Sequence, residues 1–339
     1  MTRVVATTLG LYPLPDWAKD ELADLKGHQK EDLIDGGEGE ALAEAYGRAR
    51  AELLDRQREA GLDRVVEGQL RWDDMLAHPL AVADNVETRG IVRYYDNNNF
   101  YREPAVTGAL EATGDVAAEL TAASEHPGTG ESDTDPDAGG DAVPGLQAVL
   151  PGPYSLAELA TDEHYGDEPA FLDAVADFLA GEAARFPEVE TLFLLEPSLV
   201  TDPPGDGPDE RAAAAVDTVA GAVDADVVVH SYWGALEEKV YAHLMDAGVD
   251  AIGFDLVSEH DQAVYNVQEY GTKDDVALGV VDGQNTLVES PGTIRERVDW
   301  FEDQTGSYDT VYATPNTELF YLPVNRFEEK LDALAAAAD

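Results

Sequence analysis

Eight short apolar, β-branched runs, separated by amphipathic stretches of helical period, constrain this chain more than any other feature of its sequence. The runs cover residues 4–8, 64–67, 146–150, 191–195, 226–230, 251–255, 276–281 and 310–313. Helix-period segments at 39–60, 169–186, 209–223, 291–304 and 326–338 lie between or after them, several opening on Pro or Asp as a helix N-terminus favours. Strand-period and helix-period segments in alternation are the pattern of βα units, whose strands pair in parallel because each crossover returns the chain to the same end of the sheet. Eight such units predict an α/β fold of the (βα)8 TIM-barrel type. An open, doubly wound sheet is the alternative, since periodicity does not by itself show closure. No Gly-x-Gly-x-x-Gly turn follows the first run, and no Gly-rich loop ends in Lys-Ser or Lys-Thr, so neither dinucleotide nor nucleotide binding is indicated.

A chain of 339 residues, 44% of them hydrophobic, is long enough for one large core, and residues 1–339 read as one barrel domain. Two segments read as insertions. Residues 94–113 are too polar and aromatic for a plain helix, and residues 124–141, rich in Gly, Pro, Asp and Ser, read as a solvated or disordered acidic loop.

Charge limits the partners. Seventy acidic residues against 21 basic ones give a formal net charge of −49, and repulsion of that size opposes a compact state in dilute buffer. Molar salt relieves it, because the Debye length falls to about 3 Å at 1 M. The acids are spread along the whole chain, which reads as a surface adapted to a salty cell interior; a nucleic-acid mimic or acidic partner-binding protein would concentrate them on one element. Nucleic acid and anionic membrane are not expected partners, because the Lys and Arg form no basic patch. With no Cys, disulfides, thiolate metal sites and cysteine nucleophiles are excluded. The segment Met1-Thr2-Arg3-Val4-Val5 does not open a long apolar signal, and no apolar run of about 18 residues occurs, so a cytoplasmic location is expected.

Reactive groups of a (βα)8 barrel lie just past the carboxyl ends of its strands. Here those places hold Gln69, Glu196, His230, Asp255, Asp282 and the pair Asn316-Thr317. A lone His at a strand end is ordinarily a hydrogen-bonded structural residue, whereas several polar groups converging on one face point to a ligand pocket.

Ordered segments along the chain carry a more specific signal. Thr7-Thr8-Leu9-Gly10-Leu11-Tyr12-Pro13, Glu67-Gly68-Gln69-Leu70-Arg71-Trp72-Asp73-Asp74-Met75, Phe100-Tyr101-Arg102-Glu103-Pro104, Leu150-Pro151-Gly152-Pro153-Tyr154-Ser155 and Leu194-Leu195-Glu196-Pro197-Ser198-Leu199 follow one another, with Leu278-Gly279-Val280-Val281-Asp282 and Pro323-Val324-Asn325 near the end. In this order they resemble the cobalamin-independent methionine synthases, particularly the archaeal single-barrel type. The late segments are similar to the folate-side barrel of the two-barrel enzymes.

The resemblance implies methyl transfer from a reduced methyl-pterin or folate to the sulfur of homocysteine, with zinc activating the thiol. The family's zinc ligands are a His and a Cys two apart, a Glu and a further Cys; their places here hold His230, Tyr232, Asp255 and Thr317. Only the His is retained, so zinc is not expected in this chain. The two carboxylates that hold the homocysteine ammonium correspond to Gln69 and Leu195, which removes charge-assisted hydrogen bonds from that pocket. The resemblance therefore implies Glu196, His230 and Asp255 as catalytic candidates and Gln69, Asp74, Tyr232 and Thr317 as the substrate pocket. Glu196 reads equally as a substrate-facing group or as an anchored loop carboxylate. Tyr94, Phe100 and Tyr101 would stack the pterin, with Lys19, Lys26 or Lys30 near its anionic tail. The expected role is that of a zinc-less partner to a Cys-bearing paralogue. Two other functions stay open: a hydrolase using Glu196 and Asp255 as an acid–base pair, and a non-catalytic pterin-binding module.

Overall fold

The computed structural model describes residues 2–28, 39–94, 100–127, 129 and 144–338. Most of the acidic segment 124–141, residues 95–99, Lys30 and the side chain of Lys26 lie outside the described residues. The strands are β1 (Arg3–Ala6), β2 (Arg64–Val65), β3 (Val86–Arg93), β4 (Phe100–Val106), β5 (Gly145–Pro151), β6 (Thr161–Asp162), β7 (Thr191–Leu195), β8 (Asp226–His230), β9 (Ala251–Asp255), β10 (Asp275–Val281) and β11 (Thr310–Pro315). Eight of them form one sheet in the order β1-β11-β10-β9-β8-β7-β5-β2, every pairing parallel.

The sheet curls until β1 and β2 meet. No ladder joins these two strands; the seam is closed by a few bonds. Asp63 donates its N–H to the Ala6 carbonyl at 3.0 Å and accepts the Ala6 N–H on Oδ2 at 2.7 Å. Above it, Gln147 of β5 reaches past β2, accepting from Thr7 Oγ1 at 2.8 Å and donating to the Thr8 carbonyl at 2.7 Å. The β2–β5 ladder spans only Arg64 and Val65, and soon after it Gly68 and Gln69 take φ of 96° and 51°, outside the extended region. The expected run 64–67 is thus a strand only over its first half.

Rings from non-neighbouring strands meet on the barrel axis. Phe193 of β7 and Tyr312 of β11 stand edge to face with centroids 6.0 Å apart, although three strands separate them in the sheet. Inward-pointing layers of this kind fill the barrel with side chains, so its interior is packed core. The large helices, Glu40–Ala60, Glu168–Ala183, Pro208–Ala220, Pro291–Thr305 and Val324–Ala338, start within two residues of the sequence expectation. Asp167 and Ser290 cap two of them by accepting from Ala170 N at 3.0 Å and Thr293 N at 3.1 Å.

The segment 94–113 departs most from its sequence expectation. Its residues 100–106 are β4, which pairs antiparallel with β3 and parallel with β6 in a separate three-stranded sheet. The insertion begins at Val86, ahead of Tyr94. Its first strand, Val-Glu-Thr-Arg-Gly-Ile-Val-Arg, is largely exposed and lacks the apolar content by which a strand is recognised.

Candidate functional site

His230 closes strand β8 inside the barrel. It is fully buried, its ring 6.3 Å from that of Phe193, and Nε2 lies 3.5 Å from Thr314 Oγ1 of β11, so it caps the axial layer of rings. The imidazole fits because its partner in register on β9 is Gly253, where a Cβ would come within 2.5 Å of the ring. Nδ1 makes no hydrogen bond, and burial drives the pKa down to about 3, opposed in part by the Ser231 backbone. A neutral core imidazole results.

Asp255, at the end of β9, is 1% exposed and has both oxygens engaged. Oδ1 accepts from Val257 N at 3.0 Å and Ser258 N at 2.9 Å, Oδ2 accepts from Trp233 N at 2.9 Å, and Asn316 Nδ2 donates to both at 3.1 and 3.2 Å. It thereby holds Trp233 at φ 66°, a conformation costly for an aromatic residue. Glu196, fully buried after β7, accepts from Tyr154 N at 3.0 Å, Ser155 N at 2.8 Å and Ser155 Oγ at 2.6 Å. Gly152 is needed beside it, since a Cβ there would lie 2.1 Å from the carboxyl carbon. Of the two readings open for Glu196, the geometry is that of the anchored carboxylate.

The remaining candidates are also tied to backbone. Gln69 accepts from Leu11 N at 2.8 Å and donates to the Val149 carbonyl at 3.1 Å, joining the loops after β1 and β2 to β5. Asp74 accepts from Leu76 N, Ala77 N and Tyr94 OH at 3.0, 2.6 and 2.7 Å. That last bond places Tyr94 in the core, against Tyr101 at 4.4 Å, while Phe100 points to solvent and Lys19 pairs with Asp16 at 3.1 Å on its own helix. The three aromatic residues therefore do not form a shared stacking surface. Thr317 is buried, its hydroxyl on the Glu318 carbonyl at 3.3 Å.

Sequence reasoning missed Glu318. It is 2% exposed, accepts from Tyr232 OH at 2.8 Å, and its Oε2 has no hydrogen-bond partner. It lies one residue past the pair singled out after the last strand, and a carboxylate directly following Asn-Thr was the available signal. One cleft at this end of the barrel, of about 430 Å3, is lined by Trp233, Ser258, Asp282, Gln284, Asn285 and Asn316, among others. Lys330, 1% exposed, holds its rim by donating to the Leu287 carbonyl at 2.6 Å and pairing with Glu289 at 2.7 Å.

Against known proteins, residues 82–304 match the family model described as cobalamin-independent synthase, N-terminal domain. The protein belongs to the cobalamin-independent methionine synthase family. It is similar to the methionine synthases of Sulfurisphaera tokodaii, at 22% identity over 94% of this chain and 86% of the relative, and of Saccharolobus solfataricus, at 24% over 84% and 79%. Its fold matches the B12-independent methionine synthase of Shewanella sp. W3-18-1, solved in complex with selenomethionine, with TM-score 0.77 and 18% identity over 98% of this chain and 96% of that one. A putative vitamin-B12 independent methionine synthase from Listeria monocytogenes aligns with TM-score 0.69 and 15% identity, covering 100% and 98%.

The zinc site expected of a cobalamin-independent methionine synthase does not fit these residues. Of the four places, Thr317 offers a neutral hydroxyl, Tyr232 spends its hydroxyl hydrogen on Glu318, and Asp255 has its oxygens occupied by five N–H···O contacts. Among the described residues, no group of three or more His, Cys, Asp or Glu is placed to hold a metal ion. No helix among them is long and apolar enough to cross a membrane.

Burial of carboxyl groups in this methionine synthase relative gives a pH signature. Burial pushes Glu318 up to about 8 from an ordinary 4.5, and Glu67 and Glu196 up to about 7. A carboxyl whose folded pKa is raised stabilises fully below its unfolded pKa, and that contribution is lost as pH rises through the folded value. For Glu318 the window runs from 4.5 to about 8. Glu318→Gln keeps an acceptor for Tyr232 and cannot ionise, so its stability relative to the native chain should improve across that window, by on the order of a few kcal/mol at the alkaline end. Melting curves of both proteins in molar salt across the window measure this; a pH-independent difference refutes it.

Proposed function

We propose that this chain is the zinc-less half of a methyltransferase that moves a methyl group from a methyl-tetrahydropterin to homocysteine, completed by a Cys-bearing paralogue. The observation that carries the proposal is the state of three of the four zinc-ligand places: Tyr232 and Thr317 offer only hydroxyls, each in a hydrogen bond within the protein, and Asp255 has both oxygens bound there too. Thiol activation needs a metal or an equivalent positive charge, and these three places present no thiolate or unengaged carboxylate to hold a metal against the sulfur. The match to the family's N-terminal domain is consistent with that division.

The part left to this barrel is to hold the methyl donor in line with a thiol activated elsewhere, a positioning role worth several kcal/mol. The mouth cleft suits a pterin ring better than the hairpin aromatics do. Trp233 supplies an aromatic wall, and Gln284 and Asn285 bring amide groups to its edge, whereas Tyr94 and Tyr101 are packed in the core. The acid–base reading of Glu196 and Asp255 draws no support from the geometry, since both carboxylates are buried and saturated with donors.

The deciding experiment measures methionine formation from homocysteine and methyl-tetrahydropterin in molar salt with this chain alone, the paralogue alone, and the pair, with zinc analysed in each preparation. Activity is expected from the pair only, with zinc in the paralogue. Full activity of the paralogue alone, or one tightly held zinc in this chain, overturns the proposal. Tight pterin binding by this chain without turnover in the pair would instead identify a binding module.

A further inference from the structure

The outward face of the β3–β4 hairpin has a composition unusual for this molecule. Register pairs Ile91 with Arg102 and Arg93 with Phe100, and paired residues on an antiparallel ladder share a face. The intervening pair, Val92 with Tyr101, lies on the opposite face, with Tyr101 buried. Ile91 is 66% and Phe100 52% exposed, and Arg93 and Arg102 are exposed beside them. Two large apolar side chains and two guanidinium groups thus alternate on one exposed sheet face, in a chain whose formal charge is −49.

A cleft of opposite character opens where this small sheet ends. It measures about 1100 Å3, begins at Asp162 of β6, and combines Glu158, Glu168 and Glu210 with an apolar floor that includes Phe171 and Leu172. Arg211 is the one basic residue in its lining. The acids crowd one another: partial burial, together with Asp202 and Glu168, holds Glu158 above the usual carboxylate range. A docking cation would relieve that crowding.

We infer that two copies of this chain associate by reciprocal docking, the hairpin face of each seated in the acidic, apolar-floored cleft of the other. Arg93 and Arg102 meet the carboxylates, and Ile91 and Phe100 meet the floor. Because β6 pairs with Ala105 and Val106 of β4 and also lines the cleft, arm and cleft are joined through one small sheet. In an isologous dimer each copy gives its arm and receives the other's in its cleft. Reciprocity also supplies area, since one two-stranded face falls short of the roughly 800 Å2 per partner typical of a stable interface. Molar salt screens the charged contacts and leaves the apolar ones, so the dimer persists under the conditions that the net charge demands. The inference is independent of the methyl-transfer reading, as neither surface shares a residue with the cleft lined by Trp233, Gln284 and Asn285.

Sedimentation equilibrium of the full chain in molar KCl tests it. The native chain is expected to be a dimer, and the double variant Ile91→Ser/Phe100→Ser to dissociate at concentrations at least about tenfold higher, with an unchanged circular dichroism spectrum because both positions are exposed. Arg93→Glu/Arg102→Glu should weaken the dimer at the lowest salt the fold tolerates, and adding Glu168→Arg/Glu210→Arg to the same chain should restore it. A native chain that stays monomeric at high micromolar concentration overturns the proposal. So does a dimer indifferent to the hairpin substitutions, or one whose charge-swapped form fails to recover while still folded. A monomer that binds the paralogue through this hairpin also overturns it, and assigns the arm to that partner.

Discussion

Asp255→Ala is expected to lower stability by on the order of 3–5 kcal/mol, among the largest losses available to one substitution in this barrel. The carboxylate holds three backbone N–H groups, those of Trp233, Val257 and Ser258, and the Asn316 amide. All would be left without their acceptor in a site that is 1% exposed in the native chain. An abandoned buried donor costs the full desolvation of the group, while the bond itself contributes less. Trp233 would also lose the contact that keeps it at φ 66°. Asp255→Asn separates charge from shape: one oxygen still accepts from the loop amides, but its NH2 must face Trp233 N or the Asn316 amide, for a loss of about 1–3 kcal/mol. Denaturant melts in molar salt measure both. If Asp255 were a solvated acid or base, each variant would stay within about 0.5 kcal/mol of the native chain.

Dilution of salt is expected to have a comparable effect on the whole fold. A formal charge of −49 distributed over the chain is screened within about 3 Å at 1 M but only within about 30 Å at 0.01 M. The exposed ion pairs do little to offset it: Lys19–Asp16, Arg48–Glu21 and Arg326–Glu329 are exposed at both partners and such pairs contribute about 0–1 kcal/mol each. The melting temperature should fall by about 10 °C or more from molar to tens of millimolar salt, the equivalent of several kcal/mol in a chain of this size. A flat or rising melting temperature on dilution would show that the acids are accommodated locally.

Most of the βα alternation was legible in the residue pattern. Apolar runs such as 191–195, 226–230 and 251–255 became strands with those same bounds, because a strand buried on both faces is written as a continuous apolar segment. The hairpin was not, since β3 is exposed and polar and owes its strand state to pairing with β4. For the site, the sequence identified which residues stand at the strand ends. It said nothing of what each side chain spends its hydrogen bonds on.

Sequence alone therefore determined the βα alternation, the family and the absence of any Cys, for these depend on residue type, order and local period. Tertiary structure alone decided that Glu196, Gln69 and Asp255 are fasteners of the loops after the strands, that His230 is a neutral layer of the core, and that Glu318 is a buried acid. Those outcomes depend on partners far away in the chain: Glu196 meets Ser155 across 41 positions, Asp255 meets Asn316 across 61 and His230 meets Thr314 across 84. Whether a carboxylate at a strand end is reactive or structural is set by the donors and the solvent around it, and barrel closure is what brings those donors there.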